Sequence, residues 1–414
     1  MREPAVRELV RRIEAATPPG RDRAVDALRA FAILGVVLGH WLVTALVVDT
    51  GTVRGASPLQ YLPQLAPISW AFQTLAVFFL VGGQVATKSY VGARARGETY
   101  GRWLGARLGR LFRPVAAVLV VWLVAAAGLL ASGVGFDTVH TLVKLVLSPL
   151  WFLLVLAALT AATPLVSRLH PLWPLAVVLY VDVYRFGQDG AAVTGWLNLP
   201  AGWLVPYCLG ALWARRDAGA SLRTTGWVLL VGGAGATALL VRFAGYPASM
   251  VGVPGAAISN LNPPTLAAVT FGLAQCGAAL LLLGPLRRVL RRPALWAAVA
   301  VVNLSAMTIF LWHQTSMIAV TCLGLLTGDA LPGLHTVPDG SGWVPARLCW
   351  LPVFALMLTL CRFAFRTYEQ PGRRTAHVVR EGRPATARET RETRETRETR
   401  ETRETRETRE MRRA

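Results

Sequence analysis

Charge is scarce in this chain, and acidic charge is the scarcest. Only 16% of its 414 residues are Asp, Glu, Lys or Arg while 54% are hydrophobic, and 23 acidic residues stand against 43 basic ones. With a mean hydropathy of +0.45, this lies outside the usual range of soluble domains, so the solvent for most of the chain is lipid. The five cysteines, Cys208, Cys276, Cys322, Cys349 and Cys361, fall in or beside apolar runs without metal-ligand or redox spacing, as packing residues do. No GxxxxGK(S/T) loop and no HExxH pair occurs, so neither nucleoside triphosphate hydrolysis nor a zinc hydrolase has support, and no metal is expected. Carboxylates within apolar runs are few, Asp182 being the clearest, and there is no internal repeat. Both absences weigh against a proton-coupled transporter or exporter, the competing function class.

Long apolar runs are abundant instead. A helical span needs about 20 apolar residues, and about ten runs approach this, near 28–48, 69–89, 114–132, 145–166, 172–184, 199–214, 224–243, 265–284, 296–325 and 344–365. The runs at 172–184 and 199–214 are short and contain Pro or Trp, which suits broken or tilted helices. The expected fold is therefore all-α and polytopic, with 1–26 as an N-terminal segment and 27–374 as the membrane domain. The first run is long and lacks a small-residue cleavage site, so it is expected to be a retained helix rather than a signal peptide.

Arginines set the orientation. They crowd the N-terminal segment, the 88–113 loop, 215–223 and 287–292, whereas the alternate loops carry only Arg54, Arg185 and Arg242, with Lys144 and Arg347 at span edges. The positive-inside rule then places both termini in the cytoplasm of a multi-pass protein of the cell membrane. The same placement accounts for much of the net charge of +20 through contact with the lipid bilayer, without a nucleic-acid partner. From Arg388 the chain runs through seven RET triplets. A period of three offers a helix no continuous face, so 375–414 is expected to be a disordered, cytoplasmic, nearly charge-balanced tail.

Within the spans, "RDRAVDALRAFAILGVVLGH" (21–40) joins Arg29 at a membrane mouth to His40 at depth. Eleven residues make about 16 Å of helical rise and return to nearly the same face. Arg29 has two readings, a snorkelling anchor or a ligand for an anion. For His40 the plain reading is an interhelical hydrogen bond. Ionisable groups at depth more often line a site, and a neutral imidazole there can take a proton as general base.

A second cluster, "RWLGARLGRLFRP" (102–114), repeats Arg107, Arg110 and Arg113 at intervals of three, so that neighbours share a helix side. Planar forks so placed suit a polyphosphate, and equally suit lipid headgroups. His313 with Gln314 beside it is an interhelical bonder or a substrate contact. Asn260 and Asn262 in "SNLNPPT" favour a rigid capped turn, and Glu369 in "YEQP", among arginines, favours a structural ion pair.

In order along the chain, "LRAFAILGVVLGH" (28–40), "FFLVGG" (78–83), Arg107-x-x-Arg110, "LWFLLVL" (150–156), "MTIFLWH" (307–313) and "YEQP" (368–371) resemble the integral membrane acyltransferases of acyltransferase family 3, and within them the actinobacterial branch. The resemblance covers about residues 20–374. It implies about ten helices around a cavity open to the cytoplasm. It also implies transfer of an acyl group from acyl-coenzyme A, acetyl-coenzyme A by expectation, to a hydroxyl or amine of an extracytoplasmic or membrane-associated acceptor, a carbohydrate or small molecule. It further implies His40 as the catalytic residue, either as a base or as a transient carrier of the acyl group, and Arg29, Arg107, Arg110 and Arg113 as the donor's phosphate rim, with no permanently bound cofactor. No carboxylate adjoins His40 in sequence; Asp49, nine residues on, would share its side of a continued helix about 13 Å away. An orienting partner is therefore expected from another span.

Overall fold

The structure, a computed structural model, describes residues 3–49, 51–215 and 221–369. The expected 375–414 tail lies outside the described residues. Among the described residues, eight helical stretches are long and apolar enough to cross a membrane by length and composition. The α-helices longer than one turn are α1 (Glu3–Ala15), α2 (Arg23–Val43), α3 (Leu75–Ala95), α4 (Tyr100–Ala131), α5 (Phe136–Leu147), α6 (Leu150–Ala161), α7 (Leu172–Asp182) and α8 (Asn198–Arg215). They continue as α9 (Ser221–Phe243), α10 (Leu266–Val289), α11 (Pro293–Leu304), α12 (Ala306–Leu325) and α13 (Trp343–Glu369). The two short runs of the sequence form α7, of 11 residues, and α8, of 18 residues with Pro206 inside it.

Local chemistry sets several boundaries. Asp22 caps α2 by accepting from the Ala24 N–H at 3.1 Å, and Thr99 and Thr265 cap α4 and α10, each satisfying a donor that the first turn leaves free. The expected first span to residue 48 is corrected: α2 stops at Val43, because Thr44 is extended (φ −106°, ψ 120°). The β-branched stretch beyond it forms a strand, β1 (Ala45–Asp49), paired antiparallel with β2 (Thr52–Ala56) in the register Ala45↔Ala56 to Asp49↔Thr52. Gly51, at φ 82°, supplies the left-handed turn. Asp49 therefore sits exposed on a hairpin and leaves the helix face of His40.

The expected single span 296–325 is also divided. Ser305 (φ −115°, ψ 13°) separates α11 from α12, and Arg362 of α13 donates to its hydroxyl. The break leaves Asn303 and buried Ser305 as polar anchors in an otherwise apolar stretch.

Close packing between helices rests on small residues, as it does where lipid supplies no hydrophobic drive. Gly83 of α3 lies against the Tyr207 carbonyl and Gly210 of α8 against the Leu80 carbonyl, so a Cβ at either position would collide with backbone. Gly226 and Gly277 bring α9 and α10 together in the same way. Gly83, the second glycine of "FFLVGG", thus has a packing cause. The main core lies between α2, α3, α4, α6, α8, α12 and α13, where Phe79, Phe152, Trp203, Tyr207 and Phe310 are buried. Phe79 meets the rings of Phe152 at 5.3 Å and Trp203 at 5.1 Å. This aromatic floor gives α2 a fixed surface along which to present Arg29 at one end and His40 near the other.

Candidate functional site

The N-terminal ends of α2 and α4 and the C-terminal end of α3 meet at a basic end, and the β-hairpin marks the opposite one. At the basic end the Arg29 Nε donates to Asn303 Oδ1 at 2.7 Å, and its Nη2 lies 3.5 Å from Asp26 Oδ1. Asn303 is itself fixed, its amide donating to the Asp26 carbonyl at 2.7 Å and the Val299 carbonyl at 3.2 Å. Arg21 shares the Asp26 carboxylate at 2.6 Å, so Arg29 is held rather than free to follow headgroups.

Arg107 donates through Nη2 to the Val85 carbonyl at 3.3 Å and lies 5.4 Å from the Trp103 ring. Its Nε is buried without a partner among the described residues. The charges of Arg110 and Arg29 both act on it, so the structure brings Arg29, Arg107 and Arg110 into one neighbourhood. A buried guanidinium N–H lacking an acceptor is costly, and an anionic oxygen would satisfy it. Arg110 is exposed, with Nε turned to the Ala106 carbonyl at 3.1 Å. Arg113 is exposed and makes no hydrogen bond or ion pair among the described residues.

His40 lies toward the other end of α2, about 16 Å of rise from Arg29. It lines a cavity of about 1110 Å³ that also takes residues from both hairpin strands, α5, α6 and the 251–262 loop. This cavity belongs to the hairpin end and not to the arginine rim. His40 Nδ1 is 3.1 Å from the side-chain nitrogen of Gln314 on α12, and Nε2 has no protein partner among the described residues. The orienting group absent from the local sequence thus comes from α12. With the carboxamide nitrogen toward Nδ1, the imidazole proton sits on Nε2. Turned by 180°, the Gln314 oxygen, which is otherwise buried without a partner, accepts from Nδ1–H and leaves Nε2 as a free base.

Two further contacts fix this arrangement. Trp41 Nε1 donates to the His313 carbonyl at 2.9 Å, and the His40 and His313 rings lie 5.1 Å apart. Arg347 of α13 is 1% exposed. It donates to the carbonyls of Trp41 and Thr44, each at 2.7 Å, and of Gly333 at 3.0 Å. Its charge therefore sits at the carbonyl-rich C-terminal end of α2. Sequence reasoning placed Arg347 at a span edge and missed this role; a lone arginine amid an apolar run was the available signal.

The remaining sequence candidates separate. His313 is fully buried, with Nδ1 bonded to the Phe310 carbonyl and Nε2 unpartnered among the described residues; it adjoins His40 without lining the cavity. Asn260 is consumed structurally: its amide donates to the Pro247 carbonyl at 2.6 Å and the Ser249 carbonyl at 3.0 Å, and its oxygen accepts from Thr265 at 2.6 Å. Asn262 lines the cavity. Glu369 ends α13, and its side chain lies outside the described residues. Asp182 is a buried knot, accepting from Asn198, from Tyr246 and from the Leu266 N–H at the start of α10. No cluster of three or more His, Cys, Asp or Glu suited to a metal occurs among the described residues.

The apolar helices of a polytopic membrane protein thus carry an imidazole beside a cavity toward one end and guanidinium groups toward the other. The chain belongs to the family described as an acyltransferase domain, matched over residues 22–366, and is a membrane acyltransferase. No curated protein and no solved structure matches it. The match takes in α2 through most of α13, so the helices bearing Arg29, His40, Arg107, Gln314 and Arg347 all lie within the family domain.

Proposed function

We propose that the protein transfers an acyl group, acetyl in the first instance, from a coenzyme A thioester bound at the basic end to a hydroxyl of an acceptor in the hairpin-end cavity. The observation that carries this reading is the placement of Arg29 and His40 on one helix, with Arg107 near enough to the first for their charges to interact and the cavity beside the second. The arginines receive the donor's phosphates, and the pantetheine arm follows α2 toward His40. The His40 Nε2 accepts the hydroxyl proton as the oxygen adds to the thioester carbonyl. Collapse of the tetrahedral intermediate breaks the carbon–sulfur bond, and the imidazolium returns the proton to the departing thiolate. Gln314 acts through His40 as a positioning residue. The basic end faces the cytoplasm of the cell membrane in this proposal, in keeping with the arginine-rich loops. The acceptor is then a surface glycan or an exported small molecule. The resemblance to actinobacterial-type members belongs to the same proposal.

The rim is tested by binding. Arg107→Ala or Arg110→Ala is expected to weaken acetyl-coenzyme A binding to the purified protein by about ten- to a hundredfold, the worth of one charge-assisted contact. Arg288→Ala, an exposed arginine on the same end, is the control and should change affinity little. Equal small effects at all three positions, measured by calorimetry, would assign the rim to lipid.

Gln314 is tested by turnover. Gln314→Met keeps the volume and removes the hydrogen bond to Nδ1, so the imidazole loses its preferred tautomer. We expect kcat to fall about tenfold, as loss of one hydrogen bond of roughly 1.4 kcal/mol implies, with the KM for acetyl-coenzyme A unchanged. A rise in that KM with kcat intact would show that Gln314 only shapes the donor path.

A further inference from the structure

The hairpin-end cavity has a charge bias. Of the residues that line it, the ionisable ones are His40, His140 and Lys144, and none is Asp or Glu. Lys144 is one of only two lysines in the chain. It makes no ion pair and no side-chain hydrogen bond among the described residues. His140, Lys144 and Ser148 follow one another at intervals of four along α5 and its C-terminal cap, so they form one stripe, and all three line the cavity. The stripe is held in place from the hairpin side, where the Val53 N–H donates to Thr138 at 3.1 Å. Trp151 and Asn262 also line the cavity, the first a platform for a sugar ring and the second a polar contact for its hydroxyls.

We propose that the acceptor is an anionic hydroxyl compound whose carboxylate or phosphate is recognised by Lys144 with His140 and Ser148, while its hydroxyl is presented to His40. An ammonium-bearing acceptor would meet Lys144 with no carboxylate to offset the repulsion, so charge in this cavity selects against amines. The inference rests on the proposed entry of the acceptor at the hairpin end and narrows its chemistry from hydroxyl or amine to anionic alcohol.

The test uses the detergent-purified full chain and four labelled probes: D-glucuronate, D-glucose 6-phosphate, methyl α-D-glucopyranoside and D-glucosamine. Equilibrium dialysis reads their binding, and acetyl transfer from acetyl-coenzyme A is measured in parallel. We expect one or both anions to bind about tenfold more tightly than the neutral glucoside, and glucosamine most weakly. The two anions distinguish a carboxylate site from a phosphate site. Lys144→Ala should flatten the ranking and Lys144→Glu should invert it; both changes are at an exposed position, and an unchanged melting temperature verifies the fold. Absence of anion binding, equal binding of glucosamine, or a ranking that Lys144→Glu leaves unchanged would overturn the proposal. Anion binding that depends on Lys144 without any acetyl transfer would leave this inference standing and count against the proposed reaction.

Discussion

His40→Ala is expected to reduce acyl transfer by about a hundred- to ten-thousandfold, the range that a positioned general base contributes, while the protein inserts and accumulates normally. His40 is only half-buried at the cavity wall, so its removal leaves space that the cavity already provides. The α2–α12 contact survives through Trp41 and the His313 carbonyl. The one group left without its bond is Gln314, which is buried and gains access to the cavity through the space the imidazole vacates. Acetyl transfer by purified, reconstituted protein is the readout, with binding of acetyl-coenzyme A as the control that the rim is intact. Turnover at the parent rate would remove His40 from the chemistry. A loss of donor binding equal to the loss of turnover would show that it acts in affinity.

Arg347→Met should be the most destabilising of the single changes considered. The guanidinium is buried, has no carboxylate partner among the described residues, and is neutralised instead by three backbone carbonyls. Each is a charge-assisted bond worth roughly 1.5–3 kcal/mol. Methionine fills much of the volume but satisfies none of those oxygens, of which only that of Thr44 borders the cavity. A net loss of about 3 kcal/mol or more is expected, seen as a lower melting temperature in detergent. The C-terminal turn of α2 should loosen with it, so surviving protein should also turn over more slowly. Arg347→Lys keeps one charge and can reach one or two of the carbonyls, so it should fall between. An unchanged melting temperature for Arg347→Met would contradict the bracing role.

Much of this arrangement was legible in the residue order. The apolar runs predicted an all-α membrane protein, and the spacing of Arg29 and His40 survives as two points on one helix. How near Arg107 comes to Arg29 depends on how α2, α3 and α4 pack, which no spacing within one segment carries. What failed was local. The first apolar run continues past Val43 in hydrophobicity, but Arg347, distant in sequence, takes the carbonyls at which the helix ends, and hydropathy carries no sign of that. The division of 296–325 at Ser305 was equally hidden, since Arg362 and Arg29 bind the polar residues of the break from other helices. Gln314 was visible beside His313, but its contact with His40 is set by the pairing of α2 with α12 and by no sequence motif. Asn260, expected in a rigid capped turn, makes three hydrogen bonds to neighbouring loop atoms that staple the loop, although which atoms it would reach was not legible from its sequence.

The central claim is that donor and acceptor meet from opposite ends of the bundle, and sidedness tests it most directly. Labelled acetyl-coenzyme A, which does not cross a bilayer, is supplied to the external face of sealed inside-out vesicles and, separately, of right-side-out vesicles containing the protein. The account predicts incorporation with inside-out vesicles alone, with the labelled product protected in the lumen until the vesicles are opened. Label accessible on the outer face of intact inside-out vesicles, and absent from their lumen, would contradict it.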